Sequence, residues 1–140
     1  MSKPSSAQLL RIGQLKAQSQ VPIKTIRYYE TLGLITAAQR TEGGFRLFAP
    51  STVNRLAFIK RSQTLGLSLK EIGELLDIRD RGQSPCQAVK QTLQSKIQAI
   101  DNQIAQLTLL KSQLDTLMET EGTALAEDGM ICPIIEHPIP

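Results

Sequence analysis

Apolar and polar positions divide this chain into two regimes. Up to about residue 80 the apolar residues come in short clusters spaced for small helices; beyond it they form one long stripe. From Gly13 an amphipathic pattern runs through Leu15 to Ser19, and Gln20-Val21-Pro22 marks a turn. Pro22 is then expected at the first helical position of a second helix, Ile23 to about Leu32, stopped by Gly33. Two short helices across so tight a turn form a helix-turn-helix pattern. Between Thr36 and Phe48, Glu42-Gly43-Gly44 separates a polar run from Phe45-Arg46-Leu47-Phe48, which reads as a small hairpin with a glycine turn.

Ala49-Pro50-Ser51 opens a helix to about Leu65, with Val53, Leu56, Ala57, Ile59 and Lys60 in a helical period and Gly66 ending it. Ser68 followed by Glu71 forms a capping box for another, which carries Ile72, Leu75, Leu76 and Ile78 and fades into Asp80-Arg81-Gly82. The longest element starts with Ser84 as N-cap and Pro85 at the first position, and meets no further Pro or Gly until Gly122. Val89, Leu93, Ile97, Ile100, Ile104, Leu107, Leu114 and Leu117 recur along it at spacings of three, four or seven, a seam for another helix. A rod on the order of 50 Å outreaches the small domain before it, so the seam is expected to pair with a second chain. Past Met118 a loop containing Gly and acidic residues leads to one short apolar turn, Cys132-Pro133-Ile134-Ile135-Glu136.

The expected fold is therefore mostly α: a disordered arm over 1–8, a winged helix-turn-helix domain over 9–82, a coiled-coil dimerisation helix over 84–119, and an effector loop with a short terminal helix over 120–140. Charge sharpens this picture. Residues 1–80 hold twelve Lys and Arg against six Asp and Glu, whereas residues 81–140 hold four against seven. A basic first half suits a polyanion, because neutralised phosphates release counterions; a merely solvated basic surface is the alternative. Three Phe, two Tyr and no Trp leave only a small aliphatic core. No stretch nears the roughly 20 apolar residues that span a bilayer, and no apolar signal core opens the chain, so a cytoplasmic protein is expected. With one histidine, no nucleophile–base grouping and no phosphate loop, it is not expected to be an enzyme.

On the second helix, Ile23, Ile26 and Tyr29 can face inward while Lys24, Thr25, Arg27 and Tyr28 face out; the alternative puts both tyrosine rings in the core. Arg27 has the fork to grip a guanine or two phosphate oxygens, and Lys24 and Tyr28 can add phosphate or base contacts. Arg46 near the hairpin tip either lies on the DNA backbone as part of a wing or is simply solvated. The two cysteines, Cys86 and Cys132, suit free thiols, metal ligands or redox centres better than a structural disulfide in a reducing compartment. Each opens a helical segment, where unpaired backbone N–H groups face the sulfur. If two long helices pair antiparallel, Cys86 of one subunit approaches Cys132 of the other, giving two equivalent sites per dimer; two small buried apolar residues are the alternative.

Leu10-Arg11-Ile12-Gly13-Gln14-Leu15, Thr25-Ile26-Arg27-Tyr28-Tyr29-Glu30-Thr31-Leu32-Gly33-Leu34-Ile35 and Gly44-Phe45-Arg46-Leu47-Phe48, in this order and spacing, resemble the N-terminal signature of the MerR family. The resemblance spans residues 9–136 and implies a winged helix-turn-helix domain, an antiparallel coiled coil, and activation by distorting a promoter whose spacer is too long, with RNA polymerase at that promoter. It implies DNA contacts by Lys24, Thr25, Arg27, Tyr28 and Arg46. Phe45 and Phe48 stand where the family usually has tyrosines, so the wing contact expected of Phe45 lacks a hydroxyl. Arg55, Lys60 and Arg61 on the third helix are further phosphate candidates.

Cys-Pro-Ile-Ile-Glu is similar to the end of the metal loop in copper- and zinc-sensing members, and Cys86 matches the helix-start cysteine of the zinc, cadmium, lead and mercury sensors. A soft divalent ion as effector is implied, with no organic cofactor. The further loop cysteine of those relatives is missing: Gly122-Thr123-Ala124 stands there. Two thiolates suit mercury, whereas a tetrahedral zinc site needs more ligands, for which His137, Glu127 or Asp128 are candidates. Redox or electrophile sensing through the same thiols, and a ligand-independent DNA-architectural protein, are the competing readings.

Overall fold

The computed structural model describes residues 8–119 and 129–136. Nearly all of the arm expected over 1–8 lies outside these residues, as do the loop positions Gly122, Thr123, Ala124, Glu127 and Asp128, and His137. Two compact units are present, Met1–Thr92 and Leu93–Pro140. The elements are β1 (Leu10–Arg11), α1 (Ile12–Ser19), α2 (Ile23–Thr31), β2 (Gln39–Arg40), β3 (Arg46–Phe48), α3 (Ser51–Thr64), α4 (Leu69–Asp80), α5 (Cys86–Glu119) and α6 (Pro133–Glu136). The chain is mostly helical with a small antiparallel sheet, as its periodicity predicts.

Local chemistry sets the helix ends. Gly33 takes φ +77°, which lets the Leu34 amide reach back to the Tyr29 carbonyl at 3.0 Å and satisfy an orphan acceptor at the end of α2. Gly66 repeats the motif after α3 at φ +90°, with Leu67 N–H on Ser62 O at 3.0 Å. The capping box at α4 forms as expected: Glu71 N–H donates to Ser68 Oγ at 3.1 Å and Ser68 N–H to Glu71 Oε1 at 2.9 Å. Two proline positions shift by one residue. Pro22 has ψ 146°, outside the helical region, and its carbonyl accepts from Ile26 N–H at 3.0 Å, so it caps α2 rather than starting it. Pro85 likewise accepts from Val89 N–H at 2.8 Å, making Cys86 the first helical residue of α5. Ser84 Oγ lies 3.5 Å from Cys86 N, at the limit of a hydrogen bond.

The sheet has the order β1-β3-β2, with Leu10 opposite Phe48 and Gln39 opposite Leu47. The hairpin was expected; β1 was not, because a two-residue strand carries no alternation to read. Leu15, Ile26, Ile35, Phe48, Leu56, Ile59 and Ile72 are the largest fully buried side chains, so α1 to α4 and β3 share one core. On α3 the buried stripe is Thr52, Leu56, Ile59 and Ser62, while Ala57 and Lys60 point to solvent, a correction to the period read from the sequence.

A second correction concerns Arg55. Its Nε donates to Leu34 O at 2.6 Å, and its two terminal nitrogens donate to Asp80 Oδ1 and Oδ2 at 2.7 and 2.9 Å. The guanidinium expected to meet phosphate is instead a clamp from α3 to the chain after α2 and to the last residue of α4, a geometry that suits a rigid fork. Arg55→Ala strands a part-buried carbonyl and is expected to cost about 1–3 kcal/mol, read as a lower denaturant midpoint at unchanged slope; an unchanged midpoint refutes the clamp. The Arg55 hydrogen bond, with its charge, holds the Asp80 carboxyl below its ordinary 3.8 against the opposing effect of burial. A depressed folded value means that this stabilisation is complete above that ordinary value and is lost as pH falls through the lower one. Asp80→Asn therefore flattens the acid limb below about pH 4, by a small amount because Asp80 is half exposed.

Candidate functional site

Helix α2 presents two faces. Ile26 and Tyr29 are buried; Lys24, Arg27 and Tyr28 are exposed, and Thr25 is half-buried. The two tyrosines have separate roles: Tyr28 is 53 % exposed, whereas Tyr29 donates its hydroxyl to Gln63 Oε1 at 2.6 Å. Burial pushes the Tyr29 phenol above its ordinary value.

Beside α2 lies the wing. Thr41 N–H donates to Phe45 O at 2.8 Å and Gly44 N–H to Thr41 O at 2.9 Å, closing a turn in which Gly44 has φ +85°. That turn leaves Phe45 67 % exposed at the tip, while Phe48 is fully buried and belongs to the core rather than to any DNA-facing surface. Arg11 of β1, Ile12, Gly13 and Gln14 at the start of α1, Arg27 of α2, and Gly43, Gly44, Phe45 and Arg46 of the wing line a cleft of about 650 Å³. Three arginines line one cleft, Arg46 among them paired with Glu30, and together they make a net cationic, anion-attracting surface. Arg11 was missed by sequence reasoning. It adjoins Arg27 and Arg46 only because β1 pairs with β3, and no local pattern announces that. Arg46 has its Nε 2.6 Å from Glu30 Oε1, a partner equally unread from the sequence. Lys60 and Arg61 are exposed on α3.

The thiols occupy different units. Cys86 is exposed at the start of α5, and Cys132 is half-buried just before α6. The amides of Ile131 and Cys132 donate to Glu136 Oε2 at 2.7 and 2.8 Å. The Glu136 carboxylate thus ties the backbone just before α6 to its last residue, and the -Cys-Pro-Ile-Ile-Glu- segment is a self-capped turn. Among the described residues no three His, Cys, Asp or Glu side chains converge as a metal-binding group. No described helix is long and apolar enough to cross a membrane.

A recognition helix, a glycine-tipped wing and an arginine-lined cleft define a winged helix-turn-helix DNA-binding protein. Comparison with known proteins agrees. Residues 10–78 match the MerR HTH family regulatory protein description, and residues 53–117 match MerR, DNA binding. The mercuric resistance operon regulatory protein of Bacillus cereus is 42% identical over 128 residues, covering 90% of this chain and 94% of its own. The transcription regulator PbrR691 of Ralstonia metallidurans CH34, solved in complex with lead(II), superposes with a TM-score of 0.71 at 31% identity, covering 90% of this chain and 96% of its own. MerR of Bacillus megaterium MB1, solved with mercury(II), gives 0.62 at 38% identity, with 91% and 97% covered. The chain belongs to the MerR family of DNA-binding transcription regulators, a non-enzymatic family, and its resemblance is to the heavy-metal branch.

Proposed function

We propose that this regulator works as an antiparallel homodimer that responds to a soft metal ion, of the class of Hg, Pb, Cd or Zn in the divalent state, through Cys86 of one subunit and Cys132 of the other. The observation that carries the reading is the placement of its two thiols: one exposed at the first residue of the long helix α5, the other on a self-capped turn near the chain end. Relatives named for mercury and solved with lead(II) or mercury(II) support the effector class. Ile97, Ile100, Ile104, Leu107 and Leu114 on α5 are each more than half exposed in the single chain, which supports a second copy as the partner of that face. Two thiolates match the linear preference of mercury, and any tetrahedral ion draws further ligands from elsewhere, His137, Glu127 and Asp128 being the candidates nearest in sequence. Lys24, Thr25, Arg27, Tyr28, Arg46, Lys60 and Arg61 hold the promoter, with Phe45 packing at the wing tip. Ligation biases a two-state change in the relative pose of two DNA-binding domains, and the distorted promoter then becomes competent for RNA polymerase.

The test is transcription by purified protein and RNA polymerase from a template carrying an operator selected from a random duplex pool. Soft metal ions and an oxidant are supplied separately. Activation by metal is expected to drop at least about tenfold in Cys86→Ser and in Cys132→Ser. A dimer mixing the two variants retains one intact site if the thiols meet across subunits and none if they do not, so partial recovery in the mixture is expected. Metal activation that survives in the double variant refutes the reading. Activation by oxidant alone instead favours the thiol-redox alternative, for which the exposure of Cys86 is the supporting observation.

A further inference from the structure

One acidic side chain sits on the DNA-facing side of α2 with no evident role in holding a polyanion. Glu30 is three residues from Arg27, and its carboxylate approaches the arginine-lined cleft. A negative charge there opposes phosphate, so its benefit has to come from another contact. That contact is Arg46. The Glu30 side chain, 18 % exposed, brings its carboxylate to 2.6 Å from Arg46 Nε; the contact is an ion pair, and Nε, an atom with no solvent exposure, has no partner in hydrogen-bond geometry among the described residues. The Arg46 side chain as a whole is 39 % exposed and lines the cleft, so with Nε buried that exposure falls on its other atoms.

The wing itself is lightly held. Strands β2 and β3 have two and three residues, and among the described residues the hydrogen bonds of the tip stay within the hairpin, Arg40 Nη1 donating to Gly44 O at 3.3 Å. We infer that Glu30 is a positioning residue: by seating Arg46 it fixes the wing against the recognition helix, so that helix and wing grip the duplex in one register and Arg46 offers its terminal nitrogens to a phosphate. This rests on the assignment of α2 and the wing to the DNA face, and is independent of the metal reading.

A double-mutant cycle on the full-length protein tests it, with the selected operator and a random-sequence duplex as the two probes and binding measured over a range of salt. Glu30→Ala removes a negative charge, so binding to the random duplex is expected to tighten slightly, up to about twofold. Operator binding weakens about tenfold, because the register is lost, and the operator-to-random ratio collapses. Arg46→Ala also loses the ratio and lowers the salt slope by about one phosphate. In the Arg46→Ala background, Glu30→Ala changes the ratio no further, as required of a residue acting through Arg46. Should Glu30→Ala fail to fold by its thermal transition, Glu30→Gln takes its place in the cycle. Tighter operator binding in the Glu30 variant, an unchanged ratio, or an equal effect with and without Arg46 overturns the inference. Lys24→Ala and Arg27→Ala serve as controls: if neither weakens operator binding, the assignment of the DNA face itself fails, whatever Glu30 does.

Discussion

A chain carrying Ile100→Asp together with Leu107→Asp is expected to sediment as a monomer and to lose tight operator binding. Both residues lie on α5, one heptad apart on the same face, and are 54 % and 59 % exposed in the single chain. Covering each by a second helix is worth about 1.5–3 kcal/mol, and there are two of each in a symmetric pair. Aspartate forfeits that gain and adds the cost of desolvating four carboxylates, so dimer association should weaken by a factor of at least about a thousand. Operator affinity follows, because two half-sites held at one spacing bind cooperatively only while the two reading heads are linked. The small N-terminal core does not involve these residues, so the thermal transition of the DNA-binding unit should persist. A variant that remains dimeric in sedimentation removes the coiled coil from the account.

Phe48→Ala should have the largest effect on stability. Phe48 is fully buried, belongs to the central strand β3, and stands opposite Leu10 of β1. Truncation leaves a cavity in a core with few alternatives to fill it, at a cost of about 3–5 kcal/mol. Against a total of roughly 5–15 kcal/mol for an ordinary domain, much of the unit's stability disappears. Because β3 also carries Arg46, DNA binding should fall as the unfolded fraction rises. Phe48→Leu conserves most of the volume and should cost less than about 1.5 kcal/mol. A chemical-denaturation midpoint that barely moves in Phe48→Ala would mean that the sheet is not the keystone of the core.

Most of the helices were legible from local pattern. The period of Ile72, Leu75 and Leu76, the Ser68–Glu71 capping box and the glycine stops at Gly33 and Gly66 each act within one or two turns of chain, and the structure realises all of them. Sidedness on α2 was legible for the same reason: three-and-four spacing puts Ile26 and Tyr29 inward and Lys24, Arg27 and Tyr28 outward. Gln20, a non-glycine residue at φ 62°, gave no warning; its side chain donates to Ala17 O at 2.9 Å and offsets part of the strain of the turn.

The order of helices, their apolar faces, the basic first half and the unpartnered stripe of α5 are properties of composition and short-range spacing, and the sequence by itself determined them. The fate of each arginine was decided only by the tertiary structure. Arg55 reads like any basic helix residue until Leu34 O and Asp80 converge on it, Arg46 until Glu30 meets its Nε, and Arg11 until β1 pairs with β3. Whether a guanidinium faces DNA or ties the fold together depends on which carboxylates and carbonyls the packed core brings within hydrogen-bond reach, and those partners are distant in the chain.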